Sequence, residues 1–179
     1  MSIGSCSRVA FAGLLAIVGF TACSGSGGAT SRDVARLPRP APSFQALDQA
    51  SQMRTLEEFR GRTVILYFYP RDATPGCTRE ACAFRDAWER LEQAGAQVLG
   101  VSTDDVSSHR AFAEEHGLPF PLLADTDAAI ARAYGVPVSF GAARRMTFLI
   151  DGRGQIRKVF EDVDPAVHAG EVIEAIAEL

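Results

Sequence analysis

From residue 43 onward, continuous apolar runs alternate with segments of helical spacing. Residues 63–69 (TVILYFY) and 96–103 (AQVLGVST) are apolar runs rich in β-branched and aromatic residues, which is typical of strands buried on both faces. Between them, Thr74-Pro75-Gly76 opens a helical pattern that continues to Gly95, where glycine favours a helix end. This part of the chain therefore predicts a strand–helix–strand unit.

The second half of the chain continues this alternation and then changes to a hairpin. A Gly-Arg-Gly turn at 152–154 separates RMTFLID from QIRKVFED, which predicts two antiparallel strands. The other predicted elements are a capped helix ending at Gly117, a strand in PFPLLAD, a helix in TDAAIARAYG and a closing helix beginning at Pro165. The order β-α-β-α-β-α-β-β-α predicts an α/β protein whose mixed central sheet has helices on both faces, which is the thioredoxin-like arrangement.

The first 23 residues follow a different pattern. Arg8 precedes an apolar run of fourteen residues, from Val9 to Ala22, which is too short to span a bilayer as a helix but suits the core of a signal peptide. The sequence FTAC at 20–23 resembles a bacterial lipobox, which implies cleavage before Cys23 and a diacylglycerol on its sulfur. The alternative is an ordinary secretory signal that is cut nearby.

These patterns divide the chain into three parts: a lipoprotein signal peptide (1–22), a lipidated Cys23 with a flexible Gly/Ser- and Pro-rich tether (23–42), and a thioredoxin-like domain (43–179). We therefore expect a protein of the cell envelope that is anchored to a membrane by its lipid and faces the periplasm or the exterior. Cys6 leaves with the signal peptide, so the domain retains two cysteines.

Composition and charge exclude partners more clearly than they identify one. Hydrophobic residues make up 47% of the chain and charged residues 22%, which is ordinary for a globular domain. The net charge of −4 and the absence of a polybasic run argue against nucleic acid. The chain has no phosphate-binding loop or dinucleotide fingerprint, and we expect no cofactor.

Other polar residues suggest structural roles. His109, His116 and His168 are scattered over predicted helices without ligand spacing, so we expect solvated side chains and no metal site. The pairs Asp104-Asp105 and Asp125/Asp127 precede predicted helices and suit caps and turns better than an acid/base pair.

Cys77 and Cys82 are five residues apart in the predicted first helix. Five helical residues rise about 7.5 Å and place the two Cα atoms roughly 8 to 9 Å apart. A disulfide requires Cα atoms closer than about 7 Å, so the two cysteines cannot bond while that helix is intact. Cys77 lies in the first turn, where unpaired N–H groups and the positive end of the helix dipole stabilise a thiolate.

The three residues before Cys77 suit a helix start that a small substrate can approach. Pro75 favours the helix start because its missing N–H costs nothing there. Gly76 allows a small molecule to approach the backbone closely. Thr74 places a hydroxyl where it can hydrogen-bond an incoming oxygen.

The segment YFYPRDATPGCTREACAFRD resembles the active-site segment of the peroxiredoxins, Pro-x-x-x-Thr-x-x-Cys. It is most similar to the bacterioferritin-comigratory, or Q-type, branch, in which a second cysteine follows five residues later. The similarity covers about residues 40–179 and includes DTDAAIARAYGV and RMTFLID. It implies that Cys77 is the peroxidatic cysteine, that Cys82 is the resolving cysteine, and that Pro70 and Thr74 shape the peroxide pocket.

Two further residues take roles from this resemblance. Arg145, just before Met-Thr-Phe-Leu-Ile-Asp, matches the family arginine that holds thiolate and peroxide. Glu80, in Cys-Thr-x-Glu, is implied to contact that arginine. Taken alone, Arg145 could equally be a surface arginine, and Glu80 a residue that favours the first helical turn.

The function that the resemblance implies is a thiol-dependent peroxidase acting on hydrogen peroxide and organic hydroperoxides. Cys77 is oxidised to a sulfenic acid, which condenses with Cys82 after the helix start unwinds. The resulting Cys77–Cys82 disulfide is expected to be reduced by a thioredoxin-like protein.

Two other functions are compatible with this type of fold. An exported thiol–disulfide oxidoreductase uses Cys-x-x-Cys, and a copper-binding assembly protein separates its cysteines by three residues and needs a histidine near them. Four residues separate Cys77 from Cys82, and together with Thr74 and Arg145 this spacing favours peroxide chemistry. A third possibility, that both cysteines are inert core residues, leaves Pro70 and Thr74 unexplained.

Overall fold

The structure is a computed structural model that describes residues 37–179. The predicted signal peptide, Cys23 and most of the predicted tether lie outside these residues. The strands are, in chain order, β1 (Arg39–Pro40), β2 (Gln45–Leu47), β3 (Met53–Thr55), β4 (Thr63–Phe68), β5 (Ala96–Ser102), β6 (Leu122–Ala124), β7 (Val138–Ser139), β8 (Ala142–Ala143), β9 (Met146–Ile150) and β10 (Gln155–Phe160). The helices are α1 (Pro75–Asp86), α2 (Trp88–Gln93), α3 (Val106–His116), α4 (Ala129–Tyr134) and α5 (His168–Ala177), with a 3-10 turn at Leu56–Phe59.

Six strands form one mixed sheet in the order β1-β10-β9-β4-β5-β6. β4 pairs in parallel with β5, and β5 with β6, because helical segments connect the strands of each pair. β9 runs antiparallel to β4 on its other side and forms a hairpin with β10. The predicted thioredoxin-like α/β fold is confirmed.

Each face of the central sheet has its own hydrophobic core, because successive side chains of β4 point in opposite directions. Val64, Leu66 and Phe68 pack with α4 and the 3-10 turn. Ile65 and Tyr67 pack with α1, α2, α3 and α5. Burial on both faces explains the continuous apolar run of β4, and the second of these cores contains Cys77.

The folded domain begins earlier than the predicted residue 43. Arg39 and Pro40 form β1, which pairs antiparallel with β10 at the edge of the sheet. The predicted tether (23–42) is therefore too long at its C-terminal end. Within residues 37–179, no helix has the length and apolar character needed to cross a bilayer.

Two helix predictions are corrected by the structure. The pattern that runs to Gly95 forms two helices, which are separated at Ala87 (φ −90°, ψ 0°). The closing helix begins at His168 rather than Pro165, because the Asp164 carboxylate accepts the Ala166 N–H and holds the intervening residues in a turn.

Two of the predicted aspartate caps are confirmed. Asp105 accepts the Ser108 N–H at 2.8 Å and begins α3, which ends at Gly117 in the left-handed conformation (φ +59°). The buried Asp125 carboxylate accepts the N–H groups of Ile130 and Ala131 at 2.9 and 2.8 Å, at the start of α4.

Candidate active site

Cys77 lies in the first turn of α1, directly after the loop that leaves β4. Thr74 is the N-cap residue, and its carbonyl accepts the Thr78 N–H at 2.8 Å. Pro75 occupies the start of the helix, as predicted. The Cys77 side chain is 1% exposed and packs in the core beneath α1. The thiol sulfur is thus held at the N-terminal end of a helix and shielded from bulk water.

Arg145, which lies far from Cys77 in the sequence, places its positive charge beside this thiol. Its Nη2 donates to Cys77 Sγ at 3.3 Å, and its Nη1 donates to the Glu80 carboxylate. Arg145 immediately precedes β9, and the pairing of Phe68 with Met146 places it at the end of β4 where the loop to Cys77 begins. The surface-arginine alternative does not hold, because only 16% of the Arg145 side chain is exposed.

Glu80 is the residue that orients the guanidinium. It lies one turn after Cys77 on α1 and is 1% exposed. Burial raises the pKa of Glu80 to about 7, although the charge and the hydrogen bond of Arg145 act in the opposite direction. The two side chains form a buried ion pair in which the fork of Arg145 contacts the carboxylate with one nitrogen and the thiol sulfur with the other.

Of the other predicted pocket residues, Gly76 lies against the Arg145 guanidinium. A Cβ on Gly76 would stand 3.4 Å from Arg145 Nη2, so the absence of a side chain here leaves room for the guanidinium beside the helix start. The Thr74 hydroxyl donates to the Arg71 carbonyl at 3.1 Å, and Pro70 is half-buried at the end of β4. The proposed contacts of Pro70, Thr74 and Gly76 with peroxide stay predictions.

Cys82 follows on the same unbroken helix and is partly buried. Both thiols are free in this structure. Because α1 is regular from Pro75 to Asp86, five residues separate the two Cα atoms by roughly 8 to 9 Å. A Cys77–Cys82 disulfide therefore needs the start of α1 to unwind, and the pairing stays a prediction.

Comparison with known proteins identifies the family of this site. The AhpC/TSA family profile matches residues 37–159. The chain belongs to the AhpC/TSA family. Peroxiredoxin Q of Triticum aestivum, a chloroplastic protein, is 43% identical over 141 residues, which cover 77% of this chain and 65% of the wheat protein. A putative peroxiredoxin bcp of Coxiella burnetii is 45% identical over 140 residues, which cover 74% of this chain and 93% of the other. This peroxiredoxin is therefore of the Q/bcp type.

Solved structures agree with this family assignment. Peroxidoxin BcpB of Mycobacterium tuberculosis superposes with a TM-score of 0.75 and 31% identity, covering 79% of this chain and 96% of that one. Peroxiredoxin Q of Xanthomonas campestris gives a TM-score of 0.72 and 35% identity, covering 75% and 90%.

The structure of this peroxiredoxin also contains a buried polar cluster that the sequence did not reveal. The Asp72 carboxylate, in the loop before Cys77, accepts hydrogen bonds from Tyr69 and Ser108 and contacts His109 Nδ1 at 2.8 Å. Burial acts to raise the pKa of Asp72, but the hydrogen bonds from His109, Tyr69 and Ser108 outweigh it and lower that pKa below its ordinary value. The one available signal was the spacing Tyr-Pro-x-Asp ahead of the cysteine, which leaves an acidic residue in a loop next to the site.

The prediction that the three histidines are solvated is wrong for two of them. His109 and His168 are fully buried, whereas His116 is partly exposed. His168 Nε2 lies 2.8 Å from the Thr147 hydroxyl, with aromatic rings of Phe84 and Phe160 edge-on to it, and burial lowers the pKa of His168. Each buried histidine has a polar partner far away in the sequence, which spacing within one helix could not show. Residues 37–179 contain no group of three or more potential metal-ligating side chains.

Proposed function

We propose that this peroxiredoxin is a thiol-dependent peroxidase that reduces hydrogen peroxide and organic hydroperoxides. One observation carries the proposal: the Arg145 guanidinium lies 3.3 Å from the Cys77 sulfur while Glu80 holds its other nitrogen. A cation fixed beside a thiol at a helix N-terminus serves both to stabilise the thiolate and to bind the oxygen that leaves it. Inert core cysteines would gain nothing from a buried charge.

In the first step, the Cys77 thiolate attacks one oxygen of the peroxide. The S–O bond forms as the O–O bond breaks, so sulfur is oxidised to a sulfenic acid and the second oxygen departs with the electron pair. Arg145 stabilises the charge that develops on this departing oxygen, which takes a proton and leaves as water or an alcohol. Pro70, Thr74 and Gly76 form the rim where the peroxide approaches.

In the second step, Cys82 resolves the sulfenic acid. The start of α1 unwinds, the Cys82 sulfur attacks Cys77 Sγ, and the S–S bond forms as the S–O bond breaks. The hydroxide that departs takes the proton of the Cys82 thiol and leaves as water. A thioredoxin-like dithiol protein then supplies two electrons and two protons to reopen the Cys77–Cys82 disulfide.

A stoichiometric reaction tests this function directly. A full chain in which Cys6 and Cys23 are replaced by serine, here called the two-thiol chain, is reduced and mixed anaerobically with one equivalent of hydrogen peroxide. We expect rapid loss of two thiols and a mass decrease of about two hydrogens, with a peptide map that joins Cys77 to Cys82. If peroxide reacts no faster than with free cysteine while a disulfide substrate exchanges quickly, the protein is instead a thiol–disulfide oxidoreductase.

We further propose that the domain is tethered to a membrane of the cell envelope through a diacylglycerol on Cys23. The apolar run before Cys23 and the Gly/Ser-rich segment after it support this proposal. Replacing Cys23 with serine should release the protein from the membrane fraction of a bacterial host and remove the lipid mass, whereas Cys6→Ser should change neither. Equal membrane association of both variants would exclude the lipid anchor.

A further inference from the structure

Asp72 connects the loop before the peroxidatic cysteine to helix α3. Its side chain is almost fully buried, although it belongs to the short connection between β4 and α1. Tyr69 donates its hydroxyl to one carboxylate oxygen at 2.7 Å. Ser108 donates to the other oxygen at 2.7 Å, and His109 Nδ1 lies 2.8 Å from it. The carboxylate thus joins the end of β4 to the first turn of α3.

The backbone of Asp72 is held as well. Its N–H donates to Asp104 Oδ2 at 2.8 Å, and the same oxygen accepts the Ser102 hydroxyl at 2.8 Å. Ser102 is the last residue of β5. Asp72 is therefore tied to two neighbouring elements through both its main chain and its side chain.

The chain changes direction immediately after this anchored residue. Ala73 has a left-handed backbone (φ +55°), which a residue other than glycine adopts only at some energetic cost. Thr74 follows, with its hydroxyl on the Arg71 carbonyl, and α1 starts at the next residue. Only four residues separate Asp72 from Cys77. The proposed resolution step requires the start of α1, which lies in this segment, to unwind.

We infer that Asp72 is a positioning residue for the peroxide step: it anchors the β4–α1 loop to α3, so that Pro70 and Thr74 stay in register with Cys77, and it confines the later unwinding to residues after Ala73. This inference rests on the proposed peroxidase function. Its consequence is an asymmetry between the two chemical steps. Attack on peroxide needs the loop in place, whereas resolution by Cys82 needs the adjacent helix to open.

The matching experiment measures both steps separately in the two-thiol chain and in its Asp72→Asn variant. Rapid quenching and intact mass give the second-order rate of Cys77 oxidation and the first-order rate of disulfide formation. We expect Asp72→Asn to slow the oxidation about 10-fold, because misplacement of a group near the reacting atoms is costly. We expect disulfide formation to be unchanged or faster. An equal decrease of both rates would overturn the inference.

A matched control separates this effect from a general loss of stability. Asp125 is also a buried carboxylate that accepts backbone N–H groups, but it caps α4 on the opposite face of the sheet. Asp125→Asn should lower thermal stability and leave the ratio of the two rates unchanged. If Asp125→Asn changes that ratio as much as Asp72→Asn does, Asp72 contributes only to stability.

Replacement of His109 provides a rescue test. The amide nitrogen of asparagine can occupy the place of Nδ1, so His109→Asn should keep a donor to Asp72 and retain most of the oxidation rate. His109→Leu removes the donor and should reproduce the slow first step. If Asp72→Asn fails to fold, Tyr69→Phe, which deletes a single hydrogen bond to the carboxylate, gives the same comparison in a milder form.

Hydrogen exchange distinguishes failure of this inference from failure of the proposed function. In the absence of peroxide, Asp72→Asn should accelerate backbone amide exchange over residues 71–78 relative to the parent chain, and Asp125→Asn should not. Unchanged exchange in this segment would refute the anchor whether or not the protein reduces peroxide. Faster exchange in Asp72→Asn, together with a parent chain that does not react with peroxide, would support the anchor and rule out the peroxidase.

Discussion

Replacing Cys77 with serine should lower the second-order rate constant for hydrogen peroxide by on the order of 10⁴-fold or more, because no other group in the site can accept the oxygen. Serine is nearly isosteric with cysteine, but its hydroxyl is far less acidic and is not a nucleophile at neutral pH without a general base. The Cys77 position is buried, and the Arg145 and Glu80 pair would remain in place. Stopped-flow competition against a peroxidase of known rate measures the change.

Cys82→Ser is the control that makes this loss specific. Cys82 is only partly buried and lies more than one helical turn from Cys77, so the first step should keep the rate of the parent chain. The reaction should then stop at a sulfenic acid on Cys77, which a dimedone-type reagent traps as a single adduct. If Cys82→Ser slowed peroxide consumption as severely as Cys77→Ser in a single turnover, the division into peroxidatic and resolving cysteine would be wrong.

The hydrophobic pattern predicted the central sheet well because both faces of its middle strands are buried. The sequences of β4 and β5 are almost continuous apolar runs, and such a run has few alternatives to a buried strand. The helix α5 begins later than predicted. Pro165 at the expected first position favours a helix start, but the Asp164 carboxylate holds these residues in a turn. Propensity alone does not distinguish a helical first turn from an isolated turn.

The residues of the active site could not be brought together from the hydrophobic pattern alone. Cys77 and Arg145 lie 68 residues apart in the chain, and only the register of β9 on β4 brings the arginine to the thiol. Periodicity predicts the two strands but not their neighbours or their register, so the pairing of these residues came from resemblance to the peroxiredoxins. The structure then supplied the geometry, including the ion pair with Glu80.

The buried histidines show the limit of sequence reasoning most clearly. His109 is 37 residues from Asp72, and His168 is 21 residues from Thr147, so neither partner appears in the helical spacing around the histidine. His168 also has Glu171 three residues later on its own helix, with Nδ1 3.5 Å from the carboxylate, but this half-exposed partner gives no sign that the histidine is buried. Here a partner on another element bonds one ring nitrogen of each histidine and offsets part of the cost of burial, although His109 Nε2 has no hydrogen-bond partner among the described residues.

Replacing Arg145 with glutamine should reduce the rate of Cys77 oxidation by about 100- to 1000-fold, comparable to the loss of one preorganised donor in an oxyanion site. The guanidinium contacts both the thiol and the Glu80 carboxylate, and glutamine can neither carry the charge nor span both. Arg145→Lys keeps a charge but loses the planar fork, so we expect an intermediate rate. Arg144→Gln is the matched control, because the adjacent Arg144 is half-exposed and pairs with the exposed Asp162 at 3.8 Å.

The variant Arg145→Gln also leaves Glu80 buried without its cation, and that alone could destabilise the fold. The double variant Arg145→Gln with Glu80→Gln separates the two effects, since it removes the uncompensated buried carboxylate. We expect it to recover thermal stability relative to Arg145→Gln while peroxide reduction stays slow. Recovery of the rate together with stability would mean that Arg145 only balances the charge of Glu80 and does not act on the peroxide, because a residue that stabilises the departing oxygen cannot be replaced by a neutral pair.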